Sequence, residues 1–201
     1  LFAWVLGLGT GIIAAIRQNS LVDHLFMGVS LAGVSMPIFM VALLLQYLFA
    51  FKIKAFPLTL DGTFLSMILP AIALGWNSAG SIARMTRSSL LEVMQADYID
   101  TARAKGLREK VVVYSHAWRN ALLPIITSII GWFISIFSGS LIIEQMFALN
   151  GMGQLYYQGL MNNDFELALA IQMFYVLIAL VGQLITDLSY GIVDPRVRVN
   201  K

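Results

Sequence analysis

The stretch LALAIQMFYVLIALVGQLIT, residues 167–186, decides the fold class because it carries no charged side chain from end to end. A helix of about 20 apolar residues is long enough to cross the hydrocarbon of a bilayer. The rest of the chain agrees, since 59% of it is hydrophobic and only 12% is charged. We therefore predict an all-α integral membrane protein, because an open sheet cannot satisfy its backbone polar groups in lipid.

Working outward from that stretch, four more segments lack charge and predict further spans. Together they give a polytopic bundle of five transmembrane helices, with Pro37 bending the second one. Small residues recur at every fourth position on three of the spans, which is typical of helices that pack closely in lipid. The four further segments are 1–16, 25–51, 62–83 and 120–143, and the small-residue rows are Ala3-Gly7-Gly11-Ala15, Ala71-Gly75-Ala79-Ala83 and Gly131-Ser135-Gly139.

The basic residues set the orientation of these spans. Every Lys and Arg except Lys52 and Lys54 falls on connections that must share one side of the membrane. The positive-inside rule makes that side cytoplasmic. The connection between the third and fourth spans and the C-terminal tail are therefore predicted to be cytoplasmic, and residues 144–166, which carry no Lys or Arg, to face outward.

The interior of the spans argues against several kinds of chemistry. No acidic or basic residue lies at the centre of a span, which disfavours an ion-coupled carrier or a pump with its own ion site. The chain has no cysteine, no metal-binding motif and no catalytic motif, so no metal site is expected and the chain is not predicted to be an enzyme. Uncharged polar residues either line a wet pathway or bond to neighbouring helices, and both alternatives stay open for Gln46, Asn77, Ser78, Ser128 and Gln172.

The polar stretch DYIDTARAKGLREK, residues 97–110, predicts a short cytoplasmic helix over Tyr98–Lys105. Asp97 is placed to cap it, Asp100 lies close to the capping-box position, and Gly106 is typical of a helix end. An apolar edge is expected along Leu90, Met94, Tyr98 and Ala102, and a second helix from Arg108 to about Arg119. On these features alone, docking into another protein and lying on anionic lipid remain equal alternatives.

The spacing Asp100-Thr101-Ala102-x-x-x-Gly106, continued by Leu107 and later by Asn120-Ala-Leu-Leu-Pro124, resembles the EAA loop of ABC importer permeases. Asp100 and Thr101 stand where that loop usually has Glu-Ala. The longer form, A-R-A-K-G-L followed by R-N-A-L-L-P, resembles the dipeptide/oligopeptide/nickel permease family. The resemblance implies that Asp100, Thr101, Ala102, Gly106 and Leu107 couple the chain to an ATPase, with Ala102 giving close approach.

Two further segments share the resemblance. The spacing Glu144-x-x-Phe147-x-x-x-Gly151-x-Gly153 resembles the outward loop of the same family, and Asp194-Pro-Arg-Val-Arg198 resembles its C-terminal ending. The outward loop is expected either to approach a solute-binding protein or to gate the pathway, with a re-entrant segment as the alternative. Its candidate residues are Glu144, Gly151, Gly153, Tyr156, Tyr157 and Asp164.

The resemblance implies a single transmembrane permease domain over 1–201 with the type I ABC importer permease fold and a coupling loop over 88–123. It also implies one more span upstream and a bacterial cell-membrane location. The expected partners are a second homologous permease, two cytoplasmic ATPase subunits and an extracytoplasmic solute-binding protein, with ATP and Mg on the ATPase subunits and no cofactor on this chain. A peptide importer is the expected function. The alternatives are a nickel or other metal-chelate importer, a secondary transporter that needs no ATPase, and a membrane enzyme.

Overall fold

A computed structural model describes residues 1–108, 111–135 and 140–193, and within these ranges every regular element is helical. Two of the helical segments are π-helices, with wider turns than the α-helix. The elements are α1 (Phe2–Ile16), α2 (Leu21–Ser35), α3 (Ile38–Leu45) with a π-helix (Gln46–Lys52), a 3₁₀ turn (Phe64–Met67) into α4 (Ile68–Met94), α5 (Asp97–Ala104), a π-helix (Val112–Ala117) into α6 (Trp118–Ser135), α7 (Leu141–Phe147), α8 (Met152–Met161) and α9 (Phe165–Val193).

Two of these helical segments are long and apolar enough to cross a membrane, Phe64–Met94 and Phe165–Leu188. A third span results if Leu21–Ser35 and Ile38–Lys52 are counted as one broken segment, and Phe2–Ile16 is apolar but shorter. The helical membrane architecture predicted from the sequence is thus confirmed for two or three spans among the described residues. The count of five stays a prediction.

The second predicted span is not one bent helix, because the chain leaves the helical conformation at Met36 and Pro37. Met36 has ψ 129° and Pro37 has ψ 139°, so both are extended. The proline ring disfavours the helical conformation in the residue before it, which explains why α2 ends at Ser35 and α3 starts afresh at Ile38.

The third predicted span continues well past its expected end at 83. Helix α4 runs on to Met94, because Arg84 and Arg87 are good helix formers and no breaker follows them. The helix then stops, and residues 95–96 separate it from α5. The apolar edge expected along Leu90, Met94, Tyr98 and Ala102 is therefore divided between two helices. Leu90, Met94 and Ala102 still pack in one cluster, whereas Tyr98 is 42% exposed.

Some predicted features lie outside the described residues or at their border. In the fourth predicted span, α6 ends at Ser135 and α7 begins at Leu141. The residues of the sequence-based predictions that the structure does not describe are Lys110, Gly139, Lys201 and the ending Asp194–Arg198, which includes Arg196 and Arg198.

The chain divides into two compact units. The first, unit 1, comprises Leu1–Met36 and Gly75–Ile126, and the second, unit 2, comprises Pro37–Leu74 and the chain from Thr127 onwards. The prediction of one permease domain over 1–201 stays a prediction.

In unit 1, α1 packs directly on the backbone of α4. A side chain at Gly7 would come within 2.8 Å of the Ala79 carbonyl oxygen, and one at Gly11 within 2.6 Å of the Ala83 carbonyl oxygen. Glycines of the first small-residue row therefore pack against residues of the second row, whereas Ala71 of the second row is exposed. Gly131, from the third row, has no atom within 4 Å of its side-chain position among the described residues.

In unit 2, a core of buried apolar side chains joins α3, α4 and α7. Gln46 strengthens it, because its amide nitrogen donates to the carbonyl oxygens of Leu58 at 3.1 Å and Met146 at 2.9 Å. The core holds the start of the segment that is predicted to face outward, since α7 contributes two of its members. The buried residues are Ala42, Leu69, Ala73, Ile143 and Phe147.

Candidate functional site

The predicted cytoplasmic helix exists as α5, shifted by one residue to Asp97–Ala104. Asp97 does not cap it: the residue before the helix is Ala96, whose side chain makes no capping hydrogen bond. Asp97 and Asp100 instead lie within that turn, where an acid interacts favourably with the helix dipole. The predicted capping box is therefore wrong, while the helix itself is confirmed.

Gly106 ends α5 in the way that the sequence predicts. Its φ is +77°, a left-handed conformation that glycine adopts without a steric penalty. The Gly106 N–H donates to the Arg103 carbonyl oxygen at 2.9 Å, and the Lys105 N–H donates to the Thr101 oxygen at 3.1 Å. These bonds satisfy carbonyl groups that a helix end would otherwise leave open.

One face of α5 is buried in unit 1. Ile99 is 0% exposed and Ala102 is 6% exposed. Ala102 therefore packs inside this chain and is not on the outer surface of α5. The remaining buried members of the cluster come from α1, α4, the π-helix and α6: Ala15, Leu90, Val112, Ala117 and Ala121.

The opposite face of α5 is polar and open. Asp100 and Arg103 form an ion pair one turn apart at 3.3 Å, with 72% and 38% of their side chains exposed. Thr101 and Gly106 are exposed beside them, and Leu107 is 40% exposed. Four of the five predicted coupling residues, all except Ala102, are thus exposed.

A hydrogen bond ties α5 to α6. The Asn120 side-chain amide donates to the Tyr98 hydroxyl oxygen at 2.8 Å. Before α6, Val112–Ala117 form a π-helix where an ordinary helix was predicted from Arg108 to about Arg119. This segment packs on α5 through the buried cluster, so α5 is held at both its apolar face and its tyrosine.

An ion pair that the sequence-based reasoning missed joins α2 to α4 in unit 1. The Arg87 guanidinium donates to both oxygens of Asp23, each at 2.7 Å, and the Asn19 N–H adds a third bond at 2.9 Å. Asp23 is 1% exposed, so its charge depends on these donors. The sequence contained a signal for this pair, because Asp23 precedes the second predicted span and Arg87 follows the third. Both positions are therefore predicted to lie at the same side of the membrane.

The segment 144–166, which is predicted to face outward, contains a carboxylate held by backbone groups. Glu144 is 8% exposed, and its two oxygens accept separate bonds from the N–H groups of Ser140 at 3.2 Å and Gln154 at 2.9 Å. Gly151 and Gly153 lie against this carboxyl group. The spacing that resembled a family signature therefore brings three of its residues into contact.

The other outward candidates have different positions. Asp164 accepts the Leu167 N–H at 3.0 Å and so caps α9. Tyr156 is half-buried on α8, and Tyr157 is 37% exposed. Of these two tyrosines, Tyr157 is thus the more exposed.

The five candidate pathway residues are divided between the two units, with Asn77 and Ser78 in unit 1 and Gln46, Ser128 and Gln172 in unit 2. Asn77 donates to the Val34 carbonyl oxygen at 3.1 Å, so it joins two helices, as Gln46 does. Gln172 is exposed on α9, whereas Ser78 and Ser128 are half-buried. Unit 1 also holds an apolar cavity of about 250 Å³, and none of the five candidates is among its lining residues, which include Phe26, Gly33 and Trp76.

Within the described part of the chain, no three His, Cys, Asp or Glu side chains come close enough to hold a metal ion.

The chain is similar to known proteins along nearly its whole length. Residues 7–199 match the family described as binding-protein-dependent transport system inner membrane component. The dipeptide transport system permease protein DppB of Bacillus subtilis is 39% identical over 199 residues, covering 99% of this chain and 65% of the relative. The oligopeptide transport system permease proteins OppB of Salmonella typhimurium and of Escherichia coli are each 38% identical, covering 98% of this chain and 65% of the relative. The chain thus spans 65% of the length of these relatives.

Proposed function

Because the chain belongs to the family of binding-protein-dependent transport system inner membrane components, we propose that it is the permease subunit of an ATP-driven importer of short peptides. The peptide class follows from relatives whose names specify dipeptide and oligopeptide transport. In this proposal the chain forms half of the translocation pathway and carries no catalytic or metal site. It hydrolyses no ATP itself.

The exposed polar face of α5 is the observation that supports the coupling role. A helix of 8 residues is too short to be stable alone in water. Here its buried residues Ile99 and Ala102 fix it, so the opposite face is presented in one orientation. Asp100, Thr101, Gly106 and Leu107 would contact an ATPase subunit within the coupling loop 88–123, and Ala102 would let α5 lie close to the body of unit 1.

The proposed assembly contains a second homologous permease, two ATPase subunits that bind ATP and Mg, and a solute-binding protein. The charge pattern favours a cytoplasmic coupling loop and C-terminus in a bacterial inner membrane, with residues 144–166 outside. ATP-driven closure of the ATPase subunits would push on α5 and change the side of the membrane to which the pathway opens.

A reconstituted transporter tests this function. The full-length protein, its partner subunits and the solute-binding protein are placed in vesicles, and uptake of a radiolabelled dipeptide is measured with and without ATP. We expect uptake that needs ATP and the solute-binding protein. Uptake of a nickel chelate in place of the peptide would move the substrate class to metal chelates, and uptake that ignores ATP would overturn the proposal in favour of a secondary transporter.

A cross-linking experiment tests the coupling surface. Because the chain has no cysteine, Thr101→Cys introduces a single exposed thiol on α5, and Asn162→Cys introduces an exposed one in the segment 144–166 that is predicted to face outward. We expect a short bifunctional thiol–amine reagent to join the Thr101→Cys variant to the ATPase subunit and to leave the Asn162→Cys variant unlinked. Absence of cross-links in the assembled complex at Thr101 would contradict the proposed contact.

A further inference from the structure

We propose that the Glu144 carboxylate holds the outward helix α8 in place by capping it from α7, and that residue 151 is glycine because this carboxylate occupies its side-chain space. We use the name Glu144 cap for this carboxylate together with the N–H groups of Ser140 and Gln154. The inference rests on the proposed function for its role in transport, but its geometry stands on its own.

The start of α8 lacks a local cap. Gly151 is the residue before the helix, and it has no side chain to accept a bond from the first turn. The Gln154 N–H is in the third helical position, the one that an N-cap side chain usually satisfies. Glu144 supplies the acceptor at 2.9 Å from ten positions earlier in the chain, and its negative charge also suits a helix N-terminus.

The same carboxylate serves α7. Its other oxygen accepts the Ser140 N–H at 3.2 Å, at the residue that precedes α7. One carboxyl group therefore satisfies the starts of two helices, with one oxygen for each. A glutamine has only one acceptor oxygen, so it would turn an N–H group toward one of these donors, and alanine would leave both without a partner.

Space, and not backbone conformation, requires glycine at 151. Gly151 has φ −116° and ψ 174°, which any residue adopts. A Cβ there would overlap the carboxyl carbon and both oxygens of Glu144. The collision partner at Gly151 is thus a side chain that a second substitution removes.

Gly153 provides a matched control, because its main collision partner is backbone. A Cβ at Gly153 would lie 2.8 Å from the Leu141 Cα and 3.0 Å from the Leu141 nitrogen. Truncating Glu144 leaves that overlap in place. The two glycines therefore differ in whether removal of Glu144 rescues them.

This difference defines a double-mutant test in the full-length protein within its reconstituted complex. The variants are Glu144→Ala, Gly151→Ala, Gly153→Ala, and each glycine substitution combined with Glu144→Ala. The first measurement is amide hydrogen exchange of α8, and the second is the concentration of solute-binding protein that half-saturates stimulation of ATP hydrolysis. Glu144→Gln is included because it keeps the size of the side chain. It takes the place of Glu144→Ala if the alanine variant does not accumulate in the membrane.

We expect Glu144→Ala to speed exchange at Gln154 by at least about tenfold, since a partly buried N–H group loses its hydrogen-bond acceptor, and to raise the half-saturating concentration of solute-binding protein. Glu144→Gln is expected to speed exchange at Gln154 or Ser140 but not at both. Gly151→Ala should be damaging alone and add nothing to Glu144→Ala, whereas most of the effect of Gly153→Ala should add to it, because the overlap with the Leu141 backbone remains. Basal hydrolysis should persist in the single Glu144 variants.

Equal exchange at Gln154 in the wild type and Glu144→Ala would overturn the inference, and so would additive effects of Glu144→Ala and Gly151→Ala. An unchanged half-saturating concentration, in a complex that the binding protein does stimulate, would overturn the role in transport. If the wild-type complex is not stimulated at all, the proposed function fails, and the exchange measurements still decide whether the Glu144 cap exists.

Discussion

Truncation of Ile99 is expected to detach α5 without unfolding the protein. Ile99→Ala removes three buried carbon groups from a side chain that is 0% exposed. At about 0.8 kcal/mol for each group, the lost burial amounts to roughly 2.4 kcal/mol, and the cavity left behind adds to it within the ~2–5 kcal/mol usual for such changes. Because α5 has few other anchors, the loss falls mainly on its own docking.

Amide hydrogen exchange measures this detachment directly. Since about 1.4 kcal/mol corresponds to a factor of ten, a loss of roughly 2.4 kcal/mol should raise exchange in α5 about fiftyfold. Exchange in α9 should not change. Lys105→Ala is the matched control, because Lys105 is exposed at the end of the same helix. Exchange in α5 of this variant should stay within about twofold of the wild-type rate.

The same variant should lower coupling in the reconstituted transporter, so that less peptide is imported for each ATP hydrolysed. Two results would refute the reasoning. One is unchanged exchange in α5 of Ile99→Ala, which would mean that the buried face does not hold the helix. The other is faster exchange throughout the protein, which would mean that α5 is not a separately docked element.

Three further predictions concern other parts of the chain. Gly106→Val should leave the protein inserted in the membrane but weaken retention of the ATPase subunit during purification, because a β-branched residue resists the left-handed backbone at φ +77°; a wild-type yield of complex would contradict it. In topology labelling, a cysteine at Asn162 should react with an impermeant thiol reagent outside intact cells and one at Lys110 should not, and labelling of the latter would reverse the orientation predicted from charge. Asp23→Ala should lower the free energy of unfolding by an amount near the lower end of ~3–5 kcal/mol in chemical unfolding, because it leaves the Arg87 charge without its partner where that side chain is 26% exposed. The double variant with Asp23→Ala and Arg87→Leu should recover part of this stability. No recovery would show that the unpaired charge is not the cause.

The features that the sequence predicted well depend on local chemistry. Helix α5 and its end at Gly106 follow from acids in a first turn, small residues and a glycine at the right spacing. The span in 165–193 follows from an unbroken apolar run. In each case the neighbours along the chain supply the physical cause, so the sequence contains the whole signal.

The features that it missed depend on residues far apart in the chain. Nothing near Ile99 distinguishes it from other apolar residues until α1, α4 and α6 close around it. The contacts of Arg87 with Asp23 and of Gln154 with Glu144 likewise need the fold before they exist. The break at Pro37 was half predicted, because a proline signals a disturbed helix but not whether the chain bends or starts again.

The backbone contact of α1 on α4 has a consequence for how this protein can change over generations. At Gly7 and Gly11 any side chain would overlap main-chain atoms, which no compensating substitution can remove, whereas Gly9 has nothing within 4 Å of its side-chain position among the described residues. A saturation library scored for growth on peptides should therefore keep glycine at 7 and 11 and accept many residues at 9. Gly7, Gly9 and Gly11 lie two positions apart on one helix, yet only position 9 would then be free to vary. The backbone of the neighbouring helix α4 sets this difference.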